Sequence, residues 1–144
     1  PIFNAYVLAA RLGSEKLYHY AELDCEDVSV MATRHADGHL AILLGYADDN
    51  FTRQLKPLVN TVELSGLTKK YKITGWRIDA DHANAIRKFK ELGQPAEPTE
   101  EQKAAIREFG ALKPEDLGTV SPENPVFELR MENNATLLLE LTEI

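Results

Sequence analysis

The run from Tyr71 to Gln102, YKITGWRIDADHANAIRKFKELGQPAEPTEEQ, most constrains the fold, because it joins a strand-like segment to two helix-like segments through a Gly-Gln-Pro turn. Tyr71 to Asp79 has a period of two. It sets Tyr71, Ile73 and Gly75 on one face and Lys72, Thr74, Trp76 and Ile78 on the other, with some apolar surface on both. Asp81 is a suitable N-cap for a helix carrying Ala85, Ile86, Phe89 and Leu92, closed by Gly93 and barred from continuing by Pro95. Thr99 and Gln102 have capping-box spacing and open a second helix with Ala105, Ile106 and Phe109 on its apolar side. The run is structural grammar with little reactive chemistry, which raises the question of whether the chain is a whole machine or a piece of one.

Upstream, Ile2, Phe3, Tyr6, Val7 and Ala10 fall at helical spacing, predicting an amphipathic helix Ile2–Leu12 that stops at Gly13 and needs a partner. The period then shortens. Leu17–Leu23, Val28–Arg34 and Leu40–Ala47 read as three strands of a meander, with a tight turn at Ala36-Asp37-Gly38 and an end at Asp48-Asp49-Asn50. Leu58–Leu64 is a fourth strand and Tyr71–Asp79 a fifth. Gly110–Pro125, rich in Pro, Gly and acids, reads as a surface connection, and Val126–Met131 with Thr136–Leu141 as a closing hairpin about Glu132-Asn133-Asn134. About seven strands with helical inserts make the expected fold mainly β, an antiparallel β-sandwich.

At 144 residues, 44% hydrophobic and 27% charged, the chain has the size and composition of one ordinary globular domain. Its net charge of −7 disfavours attraction to nucleic-acid phosphates, and the absence of about 18 consecutive apolar residues disfavours a membrane span. Cys25 is the only cysteine, so neither an intrachain disulfide nor a Cys-based structural zinc site can form within one chain. Pro1 in place of Met, and the apolar Leu139–Ile144 end, suggest processing or excision from something longer.

No residue pattern supplies a catalytic centre. The 23 carboxylates fall mostly in turns and on helix faces, where capping and solubility account for them, and Glu123-Asn124-Pro125 has the wrong order for the Asn-Glu-Pro acid motif of barrel glycosidases. His35 and His39 flank a turn and could approach each other, but spacing indicates no third ligand; His19 and His82 stand apart. Cys25 has no identifiable base beside it, and the glycines are too scattered for a phosphate loop. No metal or cofactor is expected. Lys69, Lys70, Lys72, Arg77, Arg87, Lys88 and Lys90 are dense but balanced by acids, reading as a solvated face. Trp76, with Tyr71, Tyr46 and Phe51, could form an aromatic platform for a sugar ring or could simply fill core space.

Tyr71, Thr74, Arg77, Ile78 and Asp79, then Asn84, Ala85, Leu92-Gly93, Pro95, Pro98-Thr99 and Gln102, resemble the C-terminal accessory region of glycoside hydrolase family 39, which includes β-xylosidases and α-L-iduronidases. Phe3-Asn4-Ala5 and Leu12-Gly13 resemble the last barrel helix and exit segment, Ala41–Tyr46 the first sandwich strands, and Ala135–Leu141 the closing strand. The resemblance covers nearly the whole chain. It implies that residues 1–13 are a remnant of the last barrel helix, and that residues 14–144 form the accessory sandwich with a helical insert at 81–110. The family's acid/base and nucleophile lie in the barrel, which needs roughly 200 residues or more, so no catalytic residue carries over. Trp76 stands where relatives tend to have a smaller or different aromatic residue, leaving a specialised contact open. The expected role is a non-catalytic domain supporting a β-xylosidase-like barrel as its partner. The alternative is an independent module binding a plant-type or glycan oligosaccharide through Trp76.

Overall fold

In a computed structural model of the chain, residues 2–20, 27–48 and 53–144 are described. Cys25, Asp49, Asn50, Phe51 and the end of the expected strand Leu17–Leu23 lie outside them. The described residues form α1 (Ile2–Ala9), β1 (Glu15–Lys16), β2 (Val28–Arg34), β3 (Leu40–Tyr46), β4 (Leu58–Glu63), β5 (Tyr71–Ile78), α2 (Ala85–Glu91), α3 (Glu100–Gly110), β6 (Pro114–Val120), β7 (Val126–Met131) and β8 (Ala135–Glu143). A six-stranded antiparallel sheet has the order β1-β2-β3-β8-β5-β6, and β4 pairs with β7 in a second, two-stranded sheet. The fold is a mainly β sandwich with short helices.

Strand β8 explains the layering. Leu137, Leu139 and Leu141 point to one side and Leu138 to the other, and all four are fully buried, as a central strand covered on both faces requires. On the first side they meet Ile42, Leu44, Ile73 and Val120 of their own sheet, with Leu129 and Met131 from β7. On the second side Leu138 joins Ala41, Ile78, Ala83 and Leu8 of α1. The tight turn between β2 and β3 is as expected: Gly38 takes φ 90°, in the left-handed region that glycine enters without a Cβ penalty, and its N–H donates to the His35 carbonyl at 2.9 Å.

Four expectations are corrected. The segment Leu17–Tyr20 is irregular; Glu15–Lys16 pairs with β2 instead, because Tyr18 and Tyr20 are exposed and give a sheet nothing to bury. Gly110–Pro125 contains the edge strand β6, whose Leu117 and Val120 reach the core while its other positions stay wet. Val126–Met131 and Ala135–Glu143 do not pair as a hairpin. They belong to different sheets, and the chain between them crosses the sandwich with Asn134 at φ 56° and the Asn133 side chain accepting from the Leu55 N–H at 3.2 Å. Finally, Asn84 rather than Asp81 caps α2, its side chain accepting from the Arg87 N–H at 3.3 Å. Asp81 is drawn instead into a turn organised by Asp79.

Helix α1 lies across the second face of the large sheet. Leu8 is fully buried and anchors it. Asn4 ties it to the helical insert, donating through Nδ2 to the carbonyls of Gly110 at 2.7 Å and Ala83 at 3.3 Å. Just beyond the helix, Gly13 donates to Thr33 Oγ1 at 2.8 Å and passes so close to β2 that a Cβ there would stand 2.2 Å from the Arg34 carbonyl oxygen. The outer side of α1 is different: Ile2, Phe3 and Tyr6 are 76%, 77% and 72% exposed.

Candidate functional site

Trp76 sits on the α1 side of β5, half-buried, and its polar edge is already occupied. Its indole N–H donates to Glu140 Oε2 at 2.6 Å, and the Arg11 guanidinium lies over the ring, 4.0 Å from its centroid, while reaching the same Glu140 oxygen at 3.4 Å. Tyr71 and Tyr46 are not brought beside it. Both belong to the opposite face of the sheet, where Tyr46 is buried and donates its hydroxyl to the Lys56 carbonyl at 2.8 Å. Among the described residues of the expected platform, Trp76 is therefore a single ring with a cation against one face, and Phe51 lies outside them.

The four histidines also separate. His35 and His39 do meet, as stacked rings with centroids 3.7 Å apart; His35 Nε2 bonds the Arg11 carbonyl at 2.9 Å and His39 Nδ1 bonds Asp37 Oδ1. The backbone N–H of His39, then its ring, hold the Asp37 carboxyl below the usual range. Among the described residues no group of three His, Cys, Asp or Glu side chains could hold a metal, and no helix is long and apolar enough to cross a membrane. Glu123 lies exposed in the turn closed by Ser121 and Asn124, its carboxyl lowered chiefly by the Ser121 hydroxyl.

A more organised constellation lies at the end of β5. The Asp79 carboxylate is almost completely buried, and its Oδ1 accepts from the Asp81 N–H at 2.8 Å, the His82 N–H at 2.9 Å and His82 Nδ1 at 2.8 Å. A carboxylate accepts and cannot donate, so this bond fixes the proton on Nδ1 and leaves Nε2 as the free ring nitrogen. Asp79 Oδ2 is buried without a hydrogen-bond partner. The turn is held tightly enough to place Ala83 at φ 52°, a conformation that costs a residue with a Cβ.

His82 then forms one wall of a cleft of about 240 Å³ between this turn, the start of β6 and the end of α3. Arg77, Asp81, Lys113 and Glu115 supply the polar wall, and Phe109, Ala83 and Ala111 the apolar one. Arg77 donates to Glu115 through Nε at 3.1 Å and to the Arg130 carbonyl at 2.8 Å, and Asp81 pairs with Arg87. Sequence reasoning missed this site. Its signal was the Asp-x-x-His spacing directly after a strand, in which a buried acid can turn back onto a ring three residues later.

The architecture, a six-stranded and a two-stranded antiparallel sheet with a helical insert after β5, is that of a mainly β sandwich domain, and comparison with known proteins assigns its family. The model for glycosyl hydrolases family 39 matches residues 1–121, and the chain belongs to that family. A monomeric β-xylosidase from Caulobacter crescentus CB15 is similar over 100% of this chain and 31% of its own, with 21% identity and a TM-score of 0.80. A bacterial orthologue of human α-L-iduronidase gives 21% identity and a TM-score of 0.79, over 100% of this chain and 27% of its own. A family 39 enzyme from Xanthomonas axonopodis pv. citri gives 17% and 0.72, with 30% of its chain covered. At these identities the likeness is one of fold, and the chain spans less than a third of each of those proteins. Among curated protein sequences none matches this chain.

Proposed function

We propose that this chain is a non-catalytic β-sandwich domain of a β-xylosidase-like, retaining glycoside hydrolase, and that it packs against and supports a catalytic (β/α)8 barrel. Residues 1–13 then act as the last barrel helix and residues 14–144 as the sandwich with its insert at 81–110. The observation that carries the reading is the two-sidedness of α1. Leu8 and Asn4 fasten one side to the sandwich, with Arg11 just beyond the helix adding a pair to Glu140, while Ile2, Phe3 and Tyr6 present an apolar side with no cover among the described residues. Apolar side chains grouped in this way mark contact surfaces. Membership of the family, whose solved relatives are several times longer than this chain, is consistent with a further domain as the partner.

The test is to produce this chain and the barrel segment of its parent separately. A one-to-one complex should form, aryl β-xyloside hydrolysis should never appear in the chain alone, and Phe3→Glu with Tyr6→Glu should abolish the complex. Turnover by the purified chain would overturn the reading. The second reading, an independent carbohydrate-binding module using Trp76, draws on the half-exposed ring but must contend with the Arg11 guanidinium lying over it.

A further inference from the structure

The cleft beside His82 has a composition that neither support of a barrel nor the sandwich itself requires. Its wall charges are internally matched: Arg77 with Glu115, and Asp81 with Arg87. Lys113 stands 4.0 Å from Glu108. Such a wall has little net charge with which to recruit an anion or a cation. It does retain hydrogen-bonding capacity, in the Lys113 ammonium and in Nε2 of His82, the ring nitrogen not bonded to Asp79. Phe109 adds an apolar surface next to these polar groups.

A hydroxyl donates and accepts at once, so a neutral polyhydroxylated ring uses such a wall without disturbing its ion pairs. The ring's C–H face suits the Phe109 side chain. The volume of about 240 Å³ admits a single pyranose and little more. Asp79 contributes by orientation: buried and bonded to Nδ1, it holds the His82 ring so that Nε2 is the nitrogen left for another partner, lowering the ordering cost of a contact. We infer that this cleft is a binding site for one neutral pyranose unit, terminal or internal to an oligosaccharide, recognised by His82, Lys113 and Phe109. It is separate from Trp76, which lies on the α1 face of β5.

The site goes beyond the supporting role and stands or falls independently of it, since the cleft does not include Phe3 or Tyr6. The experiment is an amide-resolved NMR titration of the intact chain with methyl β-D-xylopyranoside, xylotriose and glucuronate, in the millimolar range expected of a small polar site (roughly −4 kcal/mol). Expected are saturable shifts concentrated at His82, Ala111, Lys113 and Glu115 with the neutral sugars. Affinity should fall by about tenfold in Lys113→Ala and in His82→Ala, with the remaining spectrum unchanged. His82→Gln, which keeps a polar acceptor, should recover part of it. Shifts centred on Arg11, Trp76 and Glu140, binding of glucuronate alone with loss in salt, or no shift with any sugar would each overturn the proposal. Failure to form the barrel complex with shifts present would remove the supporting role and leave the sugar site standing.

Discussion

Trp76 and Glu140 are joined by a 2.6 Å hydrogen bond across the β5–β8 pair, although neither is the other's direct partner: Trp76 faces Leu138 and Glu140 faces Thr74. The diagonal contact is completed by Arg11, which reaches over from beyond α1 to touch both. One indole thereby connects the segment just after α1 to strands β5 and β8.

Replacing Trp76 with Phe keeps a ring for Arg11 and removes the donor to Glu140. The expected loss is about 1.5 to 3 kcal/mol, the range for a hydrogen bond to a charged group, read as a lower urea midpoint at unchanged slope. Arg11→Ala should expose the indole and raise its fluorescence quenching by acrylamide.

Leu8 and the outer residues of α1 should behave oppositely. Leu8→Ala empties a fully buried position and should cost about 2 to 5 kcal/mol in chemical unfolding. Phe3→Ser and Tyr6→Ser, at exposed positions, should move stability by no more than about 0.5 kcal/mol while reducing self-association in sedimentation.

Gly13→Ala tests a close approach. The added methyl meets backbone of β2 at 2.2 Å, which no side-chain rotation can relieve, so the loss should reach the upper part of the roughly 1–3 kcal/mol seen for overpacking. Gly93→Asn, at φ 79° with nothing near its missing Cβ, should be milder in the same thermal unfolding assay.

The pH dependence has a definite sign. Asp37, Asp116, Glu91 and Glu123 all have carboxyls held below their ordinary values of 3.8 or 4.5: Asp37 chiefly by the His39 N–H, Asp116 by the Gly118 N–H, Glu91 by Arg87 and Glu123 by Ser121. The unfolded chain therefore takes up protons first as pH falls. Their stabilisation is present above the ordinary values and is lost as pH drops through the lower folded ones. Lys69, raised by Glu143, has the converse behaviour and loses its contribution only as pH rises above 10.5. Urea midpoints should fall on acidification below about pH 4, less steeply in Asp37→Asn and Asp116→Asn.

Apolar patterning located β2, β3, β4 and β5, the Ala36-Asp37-Gly38 signal located the turn at Gly38, and the capping-box spacing of Thr99 and Gln102 located the start of α3. Strand β6 was hidden because an edge strand needs apolar residues only at Leu117 and Val120, and Pro114 at its start reads as a loop signal. The β7–β8 separation was hidden for another reason. Sequence proximity suggests a hairpin, yet burial of Leu137, Leu138, Leu139 and Leu141 demands a place between β3 and β5, where β7 cannot follow. The caps divide in the same way. Thr99 and Gln102 exchange both capping-box bonds as their spacing predicts, whereas Asp81 lost the α2 cap to Asn84 once Asp79 claimed its N–H. The Asp79–His82 pairing is followed by Ala83 at positive φ, a conformation that the residue type of Ala83 does not announce, so the Asp-x-x-His spacing was the one cue to this turn.

The place of β8 between β3 and β5 also has a consequence for biogenesis. Among the described residues, strands β1 to β3 and strands β5 and β6 have no ladder between them except through β8, which is synthesised after all of them. Until it emerges, two half-sheets present open edges that are templates for pairing with other chains. A nascent chain halted before Ala135 therefore leaves both edges open, and β8 acts as the keystone that closes both halves at once.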